Sequence, residues 1–541
     1  MNIATERLAA VERSLDGHNL RITDVTAIAH GEHSVRLDEA VLARVRESRA
    51  GLEALAERGT PIYGVNTGFG EMVHNWVEDG AALQQNLLRS HCAGVGEIFN
   101  REEARAMMVA RINSLARGYS AIRAEVLSRL VDYVNLGITP AIPHVGSLGA
   151  SGDLAPLAAM AITLIGEGYV LDRNGARVPT KSVLQEKSLA PLKLAHKEGL
   201  SLINGTSAMT GLGCLILGRF RAQVLQAEII AALAIEALQA STGAFMAAGH
   251  ERGKPHPGQV ASAANLRRLT EGSQLAKSHE GLAAAMRAAS LDKASGGKSD
   301  TQVFMQKAYS LRCVPQILGA VRDTLEFCAG VVERELNSSN DNPLFFGGDE
   351  VFHGGNFHGQ HVAFAMDYLA IAATQVGVIS ERRLNRLLNP HLNRALPEFL
   401  VASQPGLRCG FAGAQYPATA LVAENRTLCS PASIQSVPAN GDNQDVVSMG
   451  LIAARTAKKI VDNTSYILAI ELLAACQAVD LIGGSKLSPA GRAVHEFVRE
   501  SIPSLDEDRY MSDEIEVMAE LIRKGCFVSV VQDRGIDLGI A

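Results

Sequence analysis

Aromatic residues are scarce in this chain: Phe, Tyr and Trp make up 5% of 541 residues, and there is one tryptophan. Strands draw on aromatic and β-branched side chains, whereas the abundant Ala and Leu favour helices. The eight cysteines are spread from Cys92 to Cys526 and form no C-x-x-C pair. That pattern speaks against zinc knuckles and a dense disulfide framework, and for reduced thiols. The net charge is −6, and Lys and Arg are scattered, so no basic stripe offers itself to nucleic acid. No charged-then-apolar segment of the secretory kind follows Met1, and a cytoplasmic protein is expected. Residues 362–380 are apolar enough to suggest a membrane span, but Asp367 and Gln375 interrupt them and Arg382-Arg383 follow. A helix apolar nearly all round belongs more often to the centre of a large bundle, so no membrane association is expected.

With 47% hydrophobic residues, the chain has material for large cores and more length than one ordinary domain. Residues 20–28 read as a strand-like stretch. Val41, Leu42, Val45, Leu52 and Leu55 recur at helical spacing and predict a helix from Asp38 to Glu57. Residues 62–70, punctuated by glycine, predict a loop. Helical patterns follow at 81–90, 101–116 and 121–136, then a bend at Pro140 and Pro143, then a helix over 154–168. Residues 169–200 suit a small hairpin and a short helix. Long Ala/Leu/Ile/Val-rich runs, nearly free of proline, cover 208–242, 314–336, 360–388 and 446–482. The expected fold is all-α. A long antiparallel central helical bundle spans 208–486, after an N-terminal domain over 1–207 and before a C-terminal helical cap over 487–541. Residues 293–302, rich in Gly, Ser, Lys and Asp, predict a mobile loop.

The stretch Gly146-Ser147-Leu148-Gly149-Ala150-Ser151-Gly152-Asp153-Leu154-Ala155-Pro156-Leu157 carries the most chemical information. Glycine opens backbone conformations that other residues avoid, so a tight loop here can press the Gly152 nitrogen against the Ala150 carbonyl carbon. Ring closure with loss of one water, then loss of the Ser151 hydroxyl as a second, leaves an imidazolone with an exocyclic methylidene. That product is a strong electrophile. The plainer reading is a Gly/Ser turn leading into a helix that starts near Asp153, an N-cap residue type.

Such an electrophile makes an amino group a good leaving group and so eases removal of a proton from the neighbouring carbon. The site then needs a base, a carboxylate clamp and a side-chain pocket. Tyr63, in Pro61-Ile62-Tyr63-Gly64-Val65-Asn66-Thr67-Gly68-Phe69-Gly70, is the candidate base; as a plain loop tyrosine it would pack on the core. Arg312, in Ala308-Tyr309-Ser310-Leu311-Arg312-Cys313, has a planar fork that binds a carboxylate bidentately, although an arginine flanking a helix start is ordinarily solvated. Asn204, ahead of the first long helix, suits a turn or an N-cap. Residues 337–343 read as a polar loop. His353 and His358 are five apart, which is not a usual zinc spacing, and no metal is expected.

These segments together resemble the ammonia-lyase and aminomutase family that carries 4-methylidene-imidazole-5-one (MIO). The resemblance runs from about residue 20 to 480. It implies a histidine ammonia-lyase-like fold and MIO formed autocatalytically from Ala150, Ser151 and Gly152. It also implies a small aromatic amino acid as substrate, and a homotetramer in which loops from three subunits build each site. Tyr63 would be the catalytic base and Tyr309 a second active-site hydroxyl. Asn204 would support the imidazolone and substrate, Phe357 would line the pocket, and Gln360 would lie near the MIO group. His91 stands where histidine- and tyrosine-using members carry histidine. Gln444, beside Asn443, stands where histidine ammonia-lyases usually carry Glu. Together they favour tyrosine, whose phenol His91 would bond. The segments Gly70-Glu71-Met72 through Trp76, and Gly410 to Pro417 with Tyr416, resemble bacterial tyrosine aminomutases. A tyrosine 2,3-aminomutase is therefore expected, forming β-tyrosine through 4-hydroxycinnamate, ahead of a tyrosine ammonia-lyase and, behind both, a histidine ammonia-lyase. Phe304 departs from those mutases that carry tyrosine five residues before the Tyr309 position. A helical scaffold that has lost catalysis is the reading from outside enzymology, and the intact Tyr63, Ser151, Asn204 and Arg312 argue against it.

Overall fold

The computed structural model describes residues 11–294, 307–393 and 396–539. Helix accounts for 61% and strand for 8%, as the shortage of aromatic residues and the abundance of Ala and Leu lead one to expect. The four long runs are helices Ser207–Ala237, Val314–Leu336, Gln360–Leu388 and Gly450–Ile482. The last, with 33 residues, is about 50 Å long at 1.5 Å per residue. Two of the four, Gln360–Leu388 and Gly450–Ile482, are long and apolar enough to cross a membrane by composition, but 67% and 78% of their most apolar windows are buried within the protein. Of the expected loop at 293–302, Lys293 closes the helix His279–Ala294 with its neighbour; the rest, and Phe304, lie outside the described residues.

By contact the chain forms two compact units that interleave along the sequence. One comprises residues to 218, 328–367 and 431–455; the other comprises 219–327, 368–430 and 456 onward. Each of the four long helices contributes residues to both.

The centre of the first unit is helix Arg101–Ala116, buried at every position from Glu103 onward. Asn100 and Glu103 start it with a reciprocal pair of hydrogen bonds, each 2.9 Å. Its buried Arg105 donates to the carbonyls of Ile28, Ala29 and Val134, at the C-terminal ends of helices Ile22–His30 and Ala124–Leu136. A cation there meets the negative ends of two helix dipoles. Helix Ile22–His30 replaces the strand expected at 20–28. Its buried residues, Ile22, Val25, Ile28 and Ala29, fall at intervals of three and four, which is the helical period. The Asp24 carboxylate accepts the Arg21 amide at 2.9 Å and fixes its start. Strands are short and form one three-stranded sheet, of Thr139–Pro140, Tyr169–Leu171 and Arg177–Pro179, and pairs such as Val11–Ser14 parallel to His33–Arg36 and Leu344–Gly347 antiparallel to Glu350–Phe352.

Among its described residues the second unit has helices joined by loops and no strand beyond isolated bridges. Its buried acidic and basic side chains are ion-paired or hydrogen-bonded. Arg383 and Glu471, both without exposure, form an ion pair that Ser380 also joins. Arg322 pairs with Glu228, and Glu236 accepts the amide of Ser488 at 2.6 Å. Of the Arg382-Arg383 couple that follows the apolar run, Arg382 is therefore exposed while Arg383 is sealed inside with a counter-charge.

Candidate active site

The 146–153 loop is laced onto the turn at Gly205. Bridges join Gly149 to Gly152, Ala150 to Gly152, and Gly152 to Gly205. The Gly205 amide donates to the Ser151 carbonyl at 3.1 Å, and the Asp153 amide donates to the Gly205 carbonyl at 2.7 Å. Gly152 has φ +69°, and a Cβ there would collide with the Gly205 backbone, so only glycine fits. The pairing of Ala150 with Gly152 sets side by side the two residues that ring closure would join. The residues present therefore fit the imidazolone.

Asp153 does not cap the helix Leu154–Ala161 that it precedes. Its carboxyl accepts the Met209 amide at 2.8 Å, in the first turn of helix Ser207–Ala237, and the Ser147 hydroxyl at 2.9 Å. Burial pushes this acid up to about 7, against the opposing pull of those two hydrogen bonds.

Behind the loop, residues 337–343 form a buried polar cluster. Asn204 donates to Asp341 at 3.0 Å, and Asp341 takes a 2.6 Å bond from Lys197, both partners of that pair being fully buried. Asn340 accepts from Arg111 at 3.0 Å and donates to Thr206 at 2.8 Å. Asn204 is thus fixed by Asp341 and does not cap the long helix as its sequence position suggested.

A cavity of about 710 Å³ opens in front of the loop. Its wall brings together Tyr63, Gly70, His91, Ala150, Ser151, Asn204, Phe357, Asn443 and Gln444. The Tyr63 oxygen accepts the Gly70 amide at 3.0 Å, and its ring meets Phe69 edge-on. Gly70 has φ +53°, and a Cβ on it would strike the Asn440 side chain. Gln444 donates to the Ser151 hydroxyl at 3.3 Å. His91 Nδ1 lies 2.9 Å from the Leu87 carbonyl and 3.0 Å from the Ser90 hydroxyl; the carbonyl can only accept and the hydroxyl can accept, so a proton on Nδ1 satisfies both contacts. In the neutral ring Nε2 is then an acceptor.

Other expected residues fall elsewhere. Gly152 lies in the turn itself. Glu71 lies against Gly441, and Gln360 donates to the Ser433 carbonyl at 3.4 Å. Tyr309, Arg312 and Tyr416 belong to the second unit and are absent from the cavity wall; Tyr309 and Tyr416 are 68% and 75% exposed. Among the residues that sequence reasoning missed, Leu83 and Leu87 share the His91 face of helix Gly80–His91 at four-residue spacing, a signal that was available. Asn342 comes from the 337–343 loop already read as polar, and Asn440 and Val446 flank Asn443 and Gln444; only the fold brings these three to the wall. His358, once weighed as a ligand, points Nε2 at the Val446 carbonyl, and no group of three or more metal-ligating side chains occurs among the described residues.

A helical protein whose glycine-bracketed Ala-Ser-Gly turn faces a tyrosine and a histidine across one cavity belongs to the class of ammonia-lyases and aminomutases. Comparison with known proteins agrees. The family model for aromatic amino acid lyase matches residues 20–500. The chain is 65% identical to the tyrosine ammonia-lyase of Cupriavidus metallidurans, over 97% of this chain and 98% of that one. It is 54% identical to the MIO-dependent tyrosine 2,3-aminomutase of Streptomyces globisporus, over 96% of each. The crystal structure of the tyrosine aminomutase from Streptomyces globisporus superposes with a TM-score of 0.94 at 53% identity, covering 98% of this chain and all of that one. The chain belongs to the aromatic amino acid lyase family and is an enzyme of the ammonia-lyase and aminomutase kind.

Proposed function

We propose that this chain is a cytoplasmic enzyme that eliminates ammonia from L-tyrosine, using MIO formed from Ala150, Ser151 and Gly152. The observation that carries the reading is one cavity holding the Tyr63 oxygen, the Ser151 hydroxyl and His91. When formed, MIO supplies an electrophile that turns the substrate's amino group into a leaving group. The chain's own residues do the rest. As phenolate, Tyr63 takes the proton from Cβ and becomes the neutral phenol, and the Gly70 amide that donates to its oxygen supports the phenolate before the transfer. His91 Nε2 accepts the substrate's phenol hydrogen, a contact that phenylalanine cannot make. Phe357, Leu83 and Leu87 wall the ring. Gln444 offers an amide where histidine users present a carboxylate, which disfavours an imidazole substrate. Arg312 grips the carboxylate with its fork, and Tyr309 and Tyr416 join it, all three supplied by neighbouring subunits of a homotetramer.

Release of 4-hydroxycinnamate, the lyase outcome, is the first reading, because the Cupriavidus relative is the more similar of the two named above. Return of ammonia to Cβ to give β-tyrosine is the second, favoured by the likeness of residues 70–76 and 410–417 to the aminomutases. Incubation with L-tyrosine, L-phenylalanine and L-histidine, with chromatography of the products, tests both. 4-Hydroxycinnamate in excess of β-tyrosine supports the lyase; a preference for phenylalanine or histidine refutes the tyrosine reading.

A further inference from the structure

Lys307 stands just ahead of the helical turn Tyr309–Arg312. Its ammonium donates to the Leu238 carbonyl at 2.6 Å, at the C-terminal end of helix Ser207–Ala237. Unpaired carbonyls at such an end carry negative partial charge and hold a cation well. Lys307 and Arg312 line one small cavity of about 250 Å³ with Ser241 and His279. Among the described residues no carboxylate lines it. The Arg312 guanidinium sits 4.8 Å from the centre of the Tyr309 ring, and its Nε is buried without a hydrogen-bond partner. The cavity thus offers two cations and an unused donor, and lacks a counter-charge.

We infer that Lys307 is a second cation of the Arg312 pocket and holds the same carboxylate that Arg312 binds. The inference rests on the reading of Arg312 as the substrate's carboxylate clamp. Arginine keeps its charge at any working pH, whereas a lysine does not when neighbours oppose it. Burial presses Lys307 down to about 8, and the like charges of Arg386 and Lys277 add to the effect. His279 and Arg312 complete the titratable or charged groups on the cavity wall. Below about pH 8 the carboxylate therefore meets two cations; as pH rises through that value it meets one. A bound carboxylate favours the protonated amine, so binding draws a proton in from alkaline solution.

The test uses the intact enzyme and 4-hydroxycinnamate as a competitive inhibitor, because it has the carboxylate and no amino group to titrate. Its neutral amide serves as control for the phenol. For the wild type, the inhibition constant of the acid should weaken roughly fivefold between pH 7 and 9, the size of one solvent-screened charge pair, while that of the amide stays level. Lys307→Arg should bind tightly at both pH values. Lys307→Met should bind weakly at both. If Lys307→Met does not fold, the loss of slope in Lys307→Arg carries the test. The inference is overturned if either variant keeps the wild-type slope, or if the amide shows the same slope as the acid. Arg312→Lys separates the two readings. If it weakens the acid while Lys307 variants change nothing, only Lys307 is refuted; if it too changes nothing, the clamp reading falls and this inference with it.

Discussion

Residues 146–153 and residues 63–76 both line the cavity, yet they are held in different ways. The first loop is pinned by backbone: the Gly152–Gly205 bridge beside two bridges within the turn, the Leu148 carbonyl bound by the Met449 amide at 2.9 Å, and the Asp153 carboxyl buried against a long helix. The second is anchored by hydrogen bonds mainly where Tyr63 stands, with Gly70 packed on Asn440 and Glu71 on Gly441. Gln84 holds the Gly64 carbonyl at 2.9 Å, and Asn66 closes back on Thr60 at 2.8 Å. Beyond Gly70 the segment bonds mainly to itself, through the Thr67–Trp76 bridge and the Gly68–Asn75 hydrogen bond, and Met72 and Trp76 are more than half exposed. The difference teaches a division of labour. One loop has a shape fixed by its surroundings, as a self-processing turn requires; the other fixes one reactive oxygen and leaves its far end free to cover or uncover the cavity.

The largest effect should come from Ser151→Ala. The turn's bonds at this residue are made by its backbone, so the protein should fold, while activity falls to background and the borohydride-sensitive ultraviolet absorbance is missing. Near-native turnover in that variant would sink the imidazolone. Tyr63→Phe should come next, lowering kcat by roughly 10²–10⁴-fold, the usual worth of a positioned proton acceptor. Its ultraviolet signature should be intact, because maturation belongs to the other loop. If the signature disappears with the Tyr63 hydroxyl, the two loops do not divide the work as described.

Much of this was legible in the sequence because it is local. The Ala150-Ser151-Gly152 turn, the Tyr63 loop and the four long helices each declare themselves within a short window. The misses have physical causes. Residues 20–28 are short and apolar, and at that length hydrophobicity alone suits a strand as well as a helix; the three-and-four spacing of Ile22, Val25, Ile28 and Ala29 is what marks the helix. Asp153 looked like the cap of its own helix, and only the fold brings Met209, 56 positions later, to its carboxyl. The Lys197–Asp341 pair spans 144 positions and is equally silent in the sequence.

A third prediction probes how firmly the first loop is built. Asp153 is fully buried, and that burial raises its acid to about 7, well above the ordinary carboxylate range. The fold therefore prefers the neutral acid. That contribution to stability is complete below about pH 4, the unfolded value, and is lost as pH climbs through 7. Asp153→Asn has no such titration. The Tm of the wild type relative to the variant should fall between pH 5 and 8, by an amount corresponding to on the order of 2 kcal/mol. A Tm difference that is the same at both pH values would show that Asp153 keeps its charge in the folded protein.

The smallest effect, and the one that sharpens the comparison most, concerns His91, which stands on a rigid helix outside both loops. Its Nδ1 is committed to the Leu87 carbonyl, so the ring cannot turn to offer a hydrogen from that side. What it presents to a ligand is the Nε2 lone pair, which suits the phenol hydrogen of tyrosine and nothing on phenylalanine. His91→Phe removes the acceptor and leaves an apolar wall beside Leu83 and Leu87. A lost hydrogen bond of this kind costs about 1–2 kcal/mol, so kcat/KM for tyrosine should fall about tenfold while that for phenylalanine holds or rises. The ratio of 4-hydroxycinnamate to β-tyrosine should not move, because product retention depends on the 70–76 segment and not on this helix. Measuring kcat/KM for both amino acids, with the product ratio, separates three cases. A changed substrate preference at a constant product ratio places selectivity on the helix. A changed product ratio moves part of the covering function to His91. An unchanged preference shows that His91 only braces its helix, and the choice of tyrosine must then be sought among the residues near Asn443 and Gln444.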